Sequence, residues 1–153
     1  MLRLAAAASF ALAFGAGPGL AHEFWISPAM YRWPAGETVL ADLRVGEWFR
    51  GGPQGFLPAR FERFEILTSE GPVTVGGHAG DIPALSVSDL PEGLAVIVHQ
   101  TTAGNTTWHA WESFAAFAEH KGLGDVAEMH SERGLDRARV REDYVRFAKS
   151  LVA

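Results

Sequence analysis

The sequence predicts a mainly β protein, an antiparallel β-sandwich followed by a C-terminal α-helical segment, and therefore an α+β protein overall. Three observations favour this class. Short apolar segments with period-two alternation fill residues 22–102, and glycine or proline turns separate them. Apolar residues at helical spacing replace this pattern in residues 106–153. The 153 residues contain no cysteine, so the fold must depend on its apolar core without disulfides.

The N-terminus has the pattern of a secretory signal peptide. Arg3 supplies the positive charge, residues 4–14 form the apolar stretch, and Gly19-Leu20-Ala21 offers the small residues that a signal peptidase reads. We expect cleavage after Ala21, which removes residues 1–21 and leaves residues 22–153 as a single periplasmic domain. The apolar stretch is shorter than the ~20 residues that span a membrane, and no transmembrane span is expected in the mature chain.

Six segments of the β-rich part read as strands, because they alternate or are rich in β-branched and aromatic residues. Turn sequences separate these segments. The turn Ser69-Glu70-Gly71-Pro72 predicts a hairpin between the strands at residues 61–68 and 73–75. The predicted strands are residues 22–26, 39–45, 61–68, 73–75, 84–87 and 94–98.

Three helices are predicted in the second part. The first contains Trp111 to Ala118 and ends at Gly122, and the second covers residues 125–133 and ends at Gly134. A third is predicted from the apolar spacing i, i+4, i+7, i+8 and i+11. Its apolar residues are Val140, Tyr144, Phe147, Ala148 and Leu151. We expect this helix to dock on the sheet, although a basic amphipathic helix can also lie on a membrane surface.

The charge balance and the missing motifs exclude several classes of function. The chain has thirteen Lys and Arg residues and eighteen Asp and Glu residues, so its formal net charge is −5. This charge gives no reason to expect nucleic acid as a partner. The chain has no nucleophile elbow, no phosphate-binding glycine loop and no H-E-x-x-H motif. We therefore expect a protein that is not an enzyme.

His22 is the strongest candidate for a metal ligand. Without cysteine, a transition metal must bind imidazole, carboxylate or the amino terminus. Cleavage after Ala21 would give His22 a free α-amine, whose unperturbed pKa is near ~7.7, so that amine and ring together can chelate one ion. Such nitrogen ligands suit nickel, copper or zinc. The alternative is that His22 is only the first residue of a strand.

Three further histidines are weaker candidates for metal ligands. His99 ends an apolar strand and is either a ligand beneath a site or a core histidine. His109 lies three residues before Glu112, with which it can share a helix face. His78 lies in a glycine-rich loop that either closes over a site or forms a plain surface turn.

An aromatic loop at residues 46–52 suggests a binding surface. Trp48 and Phe49 stand beside three glycines and Arg50, and two such rings can form a platform for a partner. We favour the alternative that these rings pack beneath a neighbouring loop.

Several segments together resemble a known bacterial periplasmic family. They include Ala21-His22-Glu23-Phe24-Trp25-Ile26-Ser27-Pro28, Pro34-Ala35-Gly36-Glu37, Val45-Gly46-Glu47-Trp48-Phe49, Glu119-His120-Lys121-Gly122-Leu123 and Tyr144-Val145-Arg146-Phe147-Ala148-Lys149. The chain is similar to the domain-of-unknown-function family numbered 4198, sometimes labelled a nickel-uptake (NikM-like) component. The resemblance extends over nearly the whole mature chain.

The resemblance implies an immunoglobulin-like β-sandwich with a helical segment and a role in transition-metal handling. Of the family's positions, the one that matches this sequence best is His22, and the resemblance implies no catalytic residue. Family members often continue into a second β-rich region, so this chain resembles an N-terminal half, a short form or a truncated reading frame. They also often carry a histidine early in the strand at residues 94–98, where this chain has Ala95 and places His99 later.

Three hypotheses about function follow. The leading one is a non-catalytic periplasmic accessory protein that binds a divalent, nickel-like metal for uptake or buffering. The second is an interaction module that docks on an envelope component or a metal transporter through Trp48 and Phe49. The third is a copper enzyme with a histidine brace formed by His22 and a second imidazole.

Overall fold

The computed structural model describes residues 22–34 and 36–153, which form two antiparallel sheets and a helical arm. The predicted signal peptide, residues 1–21, lies outside the described residues. The strands are β1 Glu23–Pro28, β2 Val39–Glu47, β3 Arg50–Gln54, β4 Phe61–Thr68, β5 Gly71–Thr74, β6 Leu85–Val87, β7 Ala95–Thr101, β8 Gly104–Trp108, β9 Val140–Tyr144 and β10 Phe147–Val152. The helices are α1 Trp111–His120 and α2 Val126–Glu132, and a short 3-10 helix covers Pro58–Arg60.

The first sheet is built around β2, the longest strand. β1 pairs with β2 along one side, and β3 and β6 pair with the two ends of β2 on the other side. Alternate residues of β2, Val39, Ala41 and Leu43, are buried. This burial agrees with the period-two pattern from which the strand was predicted.

The second sheet has the order β10-β7-β4-β5, with every pair antiparallel. Its inward residues include Phe64 and Ile66 of β4 together with Ile97 and His99 of β7. These side chains and those of the first sheet form one buried cluster between the two sheets. Strands that bury one face each in this way form a β-sandwich, and the predicted fold class is confirmed.

A two-stranded arm, residues 104–144, projects from the sandwich between β7 and β10. β8 and β9 pair as an antiparallel ribbon, and both helices lie between them in sequence. The helices begin and end as predicted: the Asp125 side chain accepts a hydrogen bond from the backbone N–H of Glu128, and Gly122 and Gly134 adopt positive φ after the helices.

The third predicted helix is wrong, because residues 140–152 form β9 and β10 instead. β10 buries Ser150 and Val152 and half-buries Ala148, which is a period of two. The inward positions of β10 include the small Ala148 and the polar Ser150. The large residues Phe147 and Leu151, which suggested a helix, point outward and are 69% and 52% exposed. Pairing with β7 therefore outweighs the helical spacing of the apolar residues. The expected helical region 106–153 is accordingly helical only in α1 and α2.

Within residues 22–34 and 36–153, no helix is both long enough and apolar enough to cross a membrane.

Candidate functional site

Several chemically interesting side chains meet at one end of the sandwich, which we call the open end. There β1 begins, β2 turns into β3, β4 begins, and β7 leaves the sheet towards the arm. The opposite end is closed by backbone hydrogen bonds that join Ala153 to Tyr31 and Trp33. Because antiparallel strands bring their ends together, residues distant in sequence share the open end.

His22 immediately precedes β1 and is exposed. Ile26 is buried and Phe24 packs against the core, so even-numbered residues of this strand face the other sheet. The register ends with the pair of Glu23 and Gly46. If it continued by one residue, His22 would face the other sheet opposite Glu47. Sequence reasoning did not identify Glu47, because only the strand register relates it to His22.

His99 is the most unusual polar side chain of the described residues. It is 1% exposed, and the rings of Phe24, Phe61 and Phe64 surround it at centroid distances of 5.1, 4.6 and 4.9 Å. Neither ring nitrogen has a hydrogen-bond partner in the described part of the chain. Burial lowers the pKa of His99 from 6.5 to about 4, because an apolar environment disfavours the charged imidazolium. The imidazole is therefore neutral at pH 7.

A cavity of about 90 Å³ lies beside His99 at the open end. Its apolar wall includes Phe24 and Phe61, and its polar wall includes Arg60, Thr101 and Arg146. Among the residues that the structure describes, no carboxylate lines it. The cavity is therefore small, partly apolar and rich in hydrogen-bond donors.

Backbone hydrogen bonds fix the polar wall of this cavity. The Thr101 N–H donates to the Arg146 carbonyl, and the Thr102 N–H donates to the Arg60 carbonyl. The Arg146 N–H donates in turn to the Thr101 hydroxyl oxygen at 3.0 Å. The Arg146 guanidinium lies 4.8 Å from the centre of the Tyr144 ring, a cation–π contact that orients it.

The predicted partner-binding residues Trp48 and Phe49 form the tip of the β2–β3 hairpin. They are 80% and 76% exposed, so the expectation that these rings pack beneath a neighbouring loop is wrong. The rings of Phe49 and Trp25 pack edge to face, with 5.7 Å between their centres. The Phe49 N–H also donates to the Glu23 carboxylate at 3.0 Å.

The backbone at this tip is strained. Trp48 and Phe49 have φ values of 52° and 56°, a left-handed region that costs about 1–2 kcal/mol for a side chain with a Cβ atom. A two-residue hairpin of this type usually contains Asn-Gly. Backbone strain of this kind occurs most often at functional sites.

The other predicted metal ligands lie apart from His22. The side chain of His78 is 97% exposed, and its loop is fixed by hydrogen bonds between Phe56 and residues Gly80 and Asp81. His109 is exposed at the far end of β8, just before α1. Within the described ranges, no group of three or more histidine, aspartate or glutamate side chains is arranged to hold a metal ion.

A larger cavity of about 880 Å³ lies in the arm between the helices and β9. Phe114 and Phe117 line its floor, and its rim carries cations and carboxylates together. Two of these carboxylates are engaged: Glu142 accepts a hydrogen bond from the Trp108 indole, and Asp143 pairs with Arg141. Among the described residues, every buried polar side-chain atom on this mixed rim has a hydrogen-bond partner. For this reason we place the candidate site at the open end.

Comparison with known proteins identifies one family. The family model described as "Domain of unknown function (DUF4198)" matches residues 20–153. No curated protein matches the chain. No solved structure matches it either.

Proposed function

The chain belongs to the DUF4198 family, and we propose that it is a non-catalytic accessory protein of the periplasm that binds a divalent transition metal, nickel or a similar ion, for uptake or buffering. The proposed ligands are the α-amine and imidazole of His22 and the carboxylate of Glu47. The proposal includes export and cleavage after Ala21, because only cleavage gives His22 a free amine.

The observation that carries this proposal is the register of β1 and β2. Continued one step beyond the Glu23–Gly46 pair, this register would bring His22 opposite Glu47 at the open end, which supports the proposed ligand pair. Amine and imidazole nitrogens with one carboxylate suit nickel, copper or zinc. The remaining coordination positions would stay open to water or to a metal donor, as a protein that passes a metal on requires.

His78, His99 and His109 stay predictions as metal ligands. His78 and His109 are exposed outside the His22–Glu47 pair, and His99 has both nitrogens enclosed among phenyl rings. The histidine-brace copper enzyme is less well supported for the same reason, since a brace requires a second imidazole within reach of His22.

Calorimetric titration of nickel, copper and zinc into the mature protein tests the proposal. We expect one metal per chain, and we expect Glu47→Gln to weaken binding at least ~10-fold. Glu37→Gln, which removes an exposed carboxylate from the same region of sequence, is the matched control and should bind as the parent does. Equal affinity of the Glu47→Gln variant and the parent would remove Glu47 from the site, and no binding of any of the three metals would reject the proposal.

A second candidate function rests on the hairpin tip. The exposed, strained Trp48 and Phe49 favour an interaction module that docks on an envelope component or a metal transporter. Affinity capture from a membrane extract of the source cells tests it with Trp48→Ala. The control is Phe147→Ala, which removes an exposed ring from a strand outside the tip. A partner retained by the Trp48→Ala variant would exclude the tip as its binding surface.

A further inference from the structure

We propose that the cavity beside His99 binds a small carboxylate anion, held by the guanidinium groups of Arg60 and Arg146 over a floor formed by His99. This site is distinct from the proposed metal ligands, and the argument for it does not depend on metal binding.

The first argument is the unpartnered imidazole. An unsatisfied buried polar group costs roughly 1–3 kcal/mol, and both nitrogens of His99 lack a partner in the described part of the chain. A neutral imidazole carries one N–H donor and one acceptor. Both nitrogens are closed to solvent, so a ligand that accepts a hydrogen bond would satisfy the donor only if the His99 ring turned towards the cavity that it lines.

The second argument is the positive charge of the polar wall. Arg60 and Arg146 line the cavity, and no carboxylate of residues 22–34 and 36–153 does. Among the described residues neither arginine forms a salt bridge. The Thr101 hydroxyl oxygen already accepts the Arg146 N–H, which leaves the hydroxyl proton free to donate. The wall thus offers donors and positive charge, which is complementary to an anion.

The third argument is rigidity. Hydrogen bonds of the main chain join the strand ends that carry Arg60, Thr101 and Arg146. Of the two guanidinium groups, Tyr144 supports that of Arg146. Donors that are already in position lose little conformational entropy when a ligand binds. A preorganised wall of this kind is expected of a binding site.

The size of the cavity selects the class of anion. Its volume of about 90 Å³ is several times the roughly 10–15 Å³ that one water molecule requires. It is well below the ~300 Å³ at which pockets for drug-sized ligands begin. A planar carboxylate with a methyl group suits both the arginine forks and the apolar wall of Phe24 and Phe61.

Acetate is the probe for the experiment. The melting temperature and the calorimetric binding isotherm are measured for mature protein without added metal, in sodium acetate and in sodium chloride of equal ionic strength at pH 7.5. We expect acetate, but not chloride, to bind one per chain and to raise the melting temperature. Benzoate, whose ring exceeds the cavity, should not bind.

Two variants test the residues. Arg146→Gln and Arg60→Gln should each weaken acetate binding at least ~10-fold, because each loses a charge-assisted hydrogen bond. Arg141→Gln, an exposed arginine of the arm outside the cavity, is the control and should leave binding unchanged. The melting temperature of each variant in chloride shows whether it is folded.

Three results would overturn the proposal. They are equal melting temperatures in acetate and chloride, acetate binding that survives both Arg60→Gln and Arg146→Gln, and binding of phosphate as strong as that of acetate. The last result would indicate a site for tetrahedral oxyanions. Because the protein is free of metal throughout, none of these outcomes depends on the proposed metal site.

Discussion

The ring of Phe24 lies 5.1 Å from the imidazole of His99, across the space between the two sheets. Phe24 belongs to β1, the strand that begins beside His22, and His99 belongs to β7, which continues into the arm. This contact joins the N-terminal end of one sheet to the core of the other. It also places the proposed metal ligands and the cavity at the same end of the molecule.

Stability should fall in acid because of His99. Burial lowers the pKa of this residue to about 4 in the folded state, whereas the unfolded value is near 6.5. The unfolded chain therefore binds more protons between these values, and the stabilisation is complete above about pH 6.5. As the pH falls towards about 4, the free energy of unfolding should decrease by roughly 3 kcal/mol.

Denaturant unfolding between pH 7.5 and pH 4.5 measures this decrease, with His99→Leu as the comparison. Carboxylates titrate in both proteins, so the difference between the two curves isolates His99. In the described part of the chain, the cavity lined by Arg60 and Arg146 has no carboxylate that would stabilise the imidazolium. Parallel curves for the two proteins would show that His99 does not titrate in this range.

Gly46→Ala should destabilise the β2–β3 hairpin strongly. A Cβ atom at Gly46 would lie 2.0 Å from the carbonyl oxygen of Arg50, in the facing backbone. We expect a loss of about 2–4 kcal/mol in the free energy of unfolding. Gly52→Ala in the same hairpin meets no atom within 4 Å and should change stability little. A similar loss for both variants would show that the close approach at Gly46 is not the cause.

Trp48→Asn should stabilise the protein. The substitution relieves left-handed strain at φ 52° and removes a ring that is 80% exposed, so little packing is lost. Asparagine is a preferred residue at this turn position, and we expect a gain of about 1 kcal/mol. Phe147→Asn, at an exposed strand position, should give no gain. A Trp48→Asn variant less stable than the parent would indicate that the Trp48 ring supports the fold.

Glu142→Ala should loosen the arm more than the sandwich. The Glu142 carboxylate accepts the Trp108 indole N–H at 2.9 Å and joins β9 to β8. Losing this half-buried bond should cost about 1 kcal/mol and speed amide hydrogen exchange in β8 and β9. Exchange in β4 and β7 is the internal reference, because those strands lie in the sandwich core. Equal acceleration in both regions would show that arm and sandwich open together.

Much of the sandwich could be predicted from the sequence, because local alternation carries the information. β4 was predicted at residues 61–68, the bounds that the structure gives, and the predicted strand at 39–45 is the main part of β2. In β2, apolar residues repeat at every second position on one face, and in β4 bulky apolar residues mark the strand and bury Phe64 and Ile66. Such a pattern needs no knowledge of the partner strand.

β10 could not be predicted in the same way. Its inward positions are Ala148, Ser150 and Val152, and only the last is a large apolar residue. The sequence of β10 therefore shows no alternation of large apolar residues, and its strand structure depends on pairing with β7. β3 was not predicted either, because Gly51, Gly52 and Pro53 have low strand propensity. Their strand structure depends on pairing with β2.

The candidate site was predicted only in part. His22 and His99 were identified by residue type, and Trp48 with Phe49 by their aromatic character. Glu47, Arg60 and Arg146 were not, because their significance depends on which strand ends meet at the open end. Such contacts between residues distant in sequence are set by topology, and no local pattern reveals them.

The most direct test of the metal-binding account is calorimetric titration of nickel into protein whose amino terminus is His22, as confirmed by mass spectrometry. The same protein with one alanine added before His22 is the comparison. We predict tight binding to the first protein and a loss of at least ~100-fold in the second, because the extension removes the free amine from the chelate. Equal affinity of the two proteins, or no binding to either, would contradict the account.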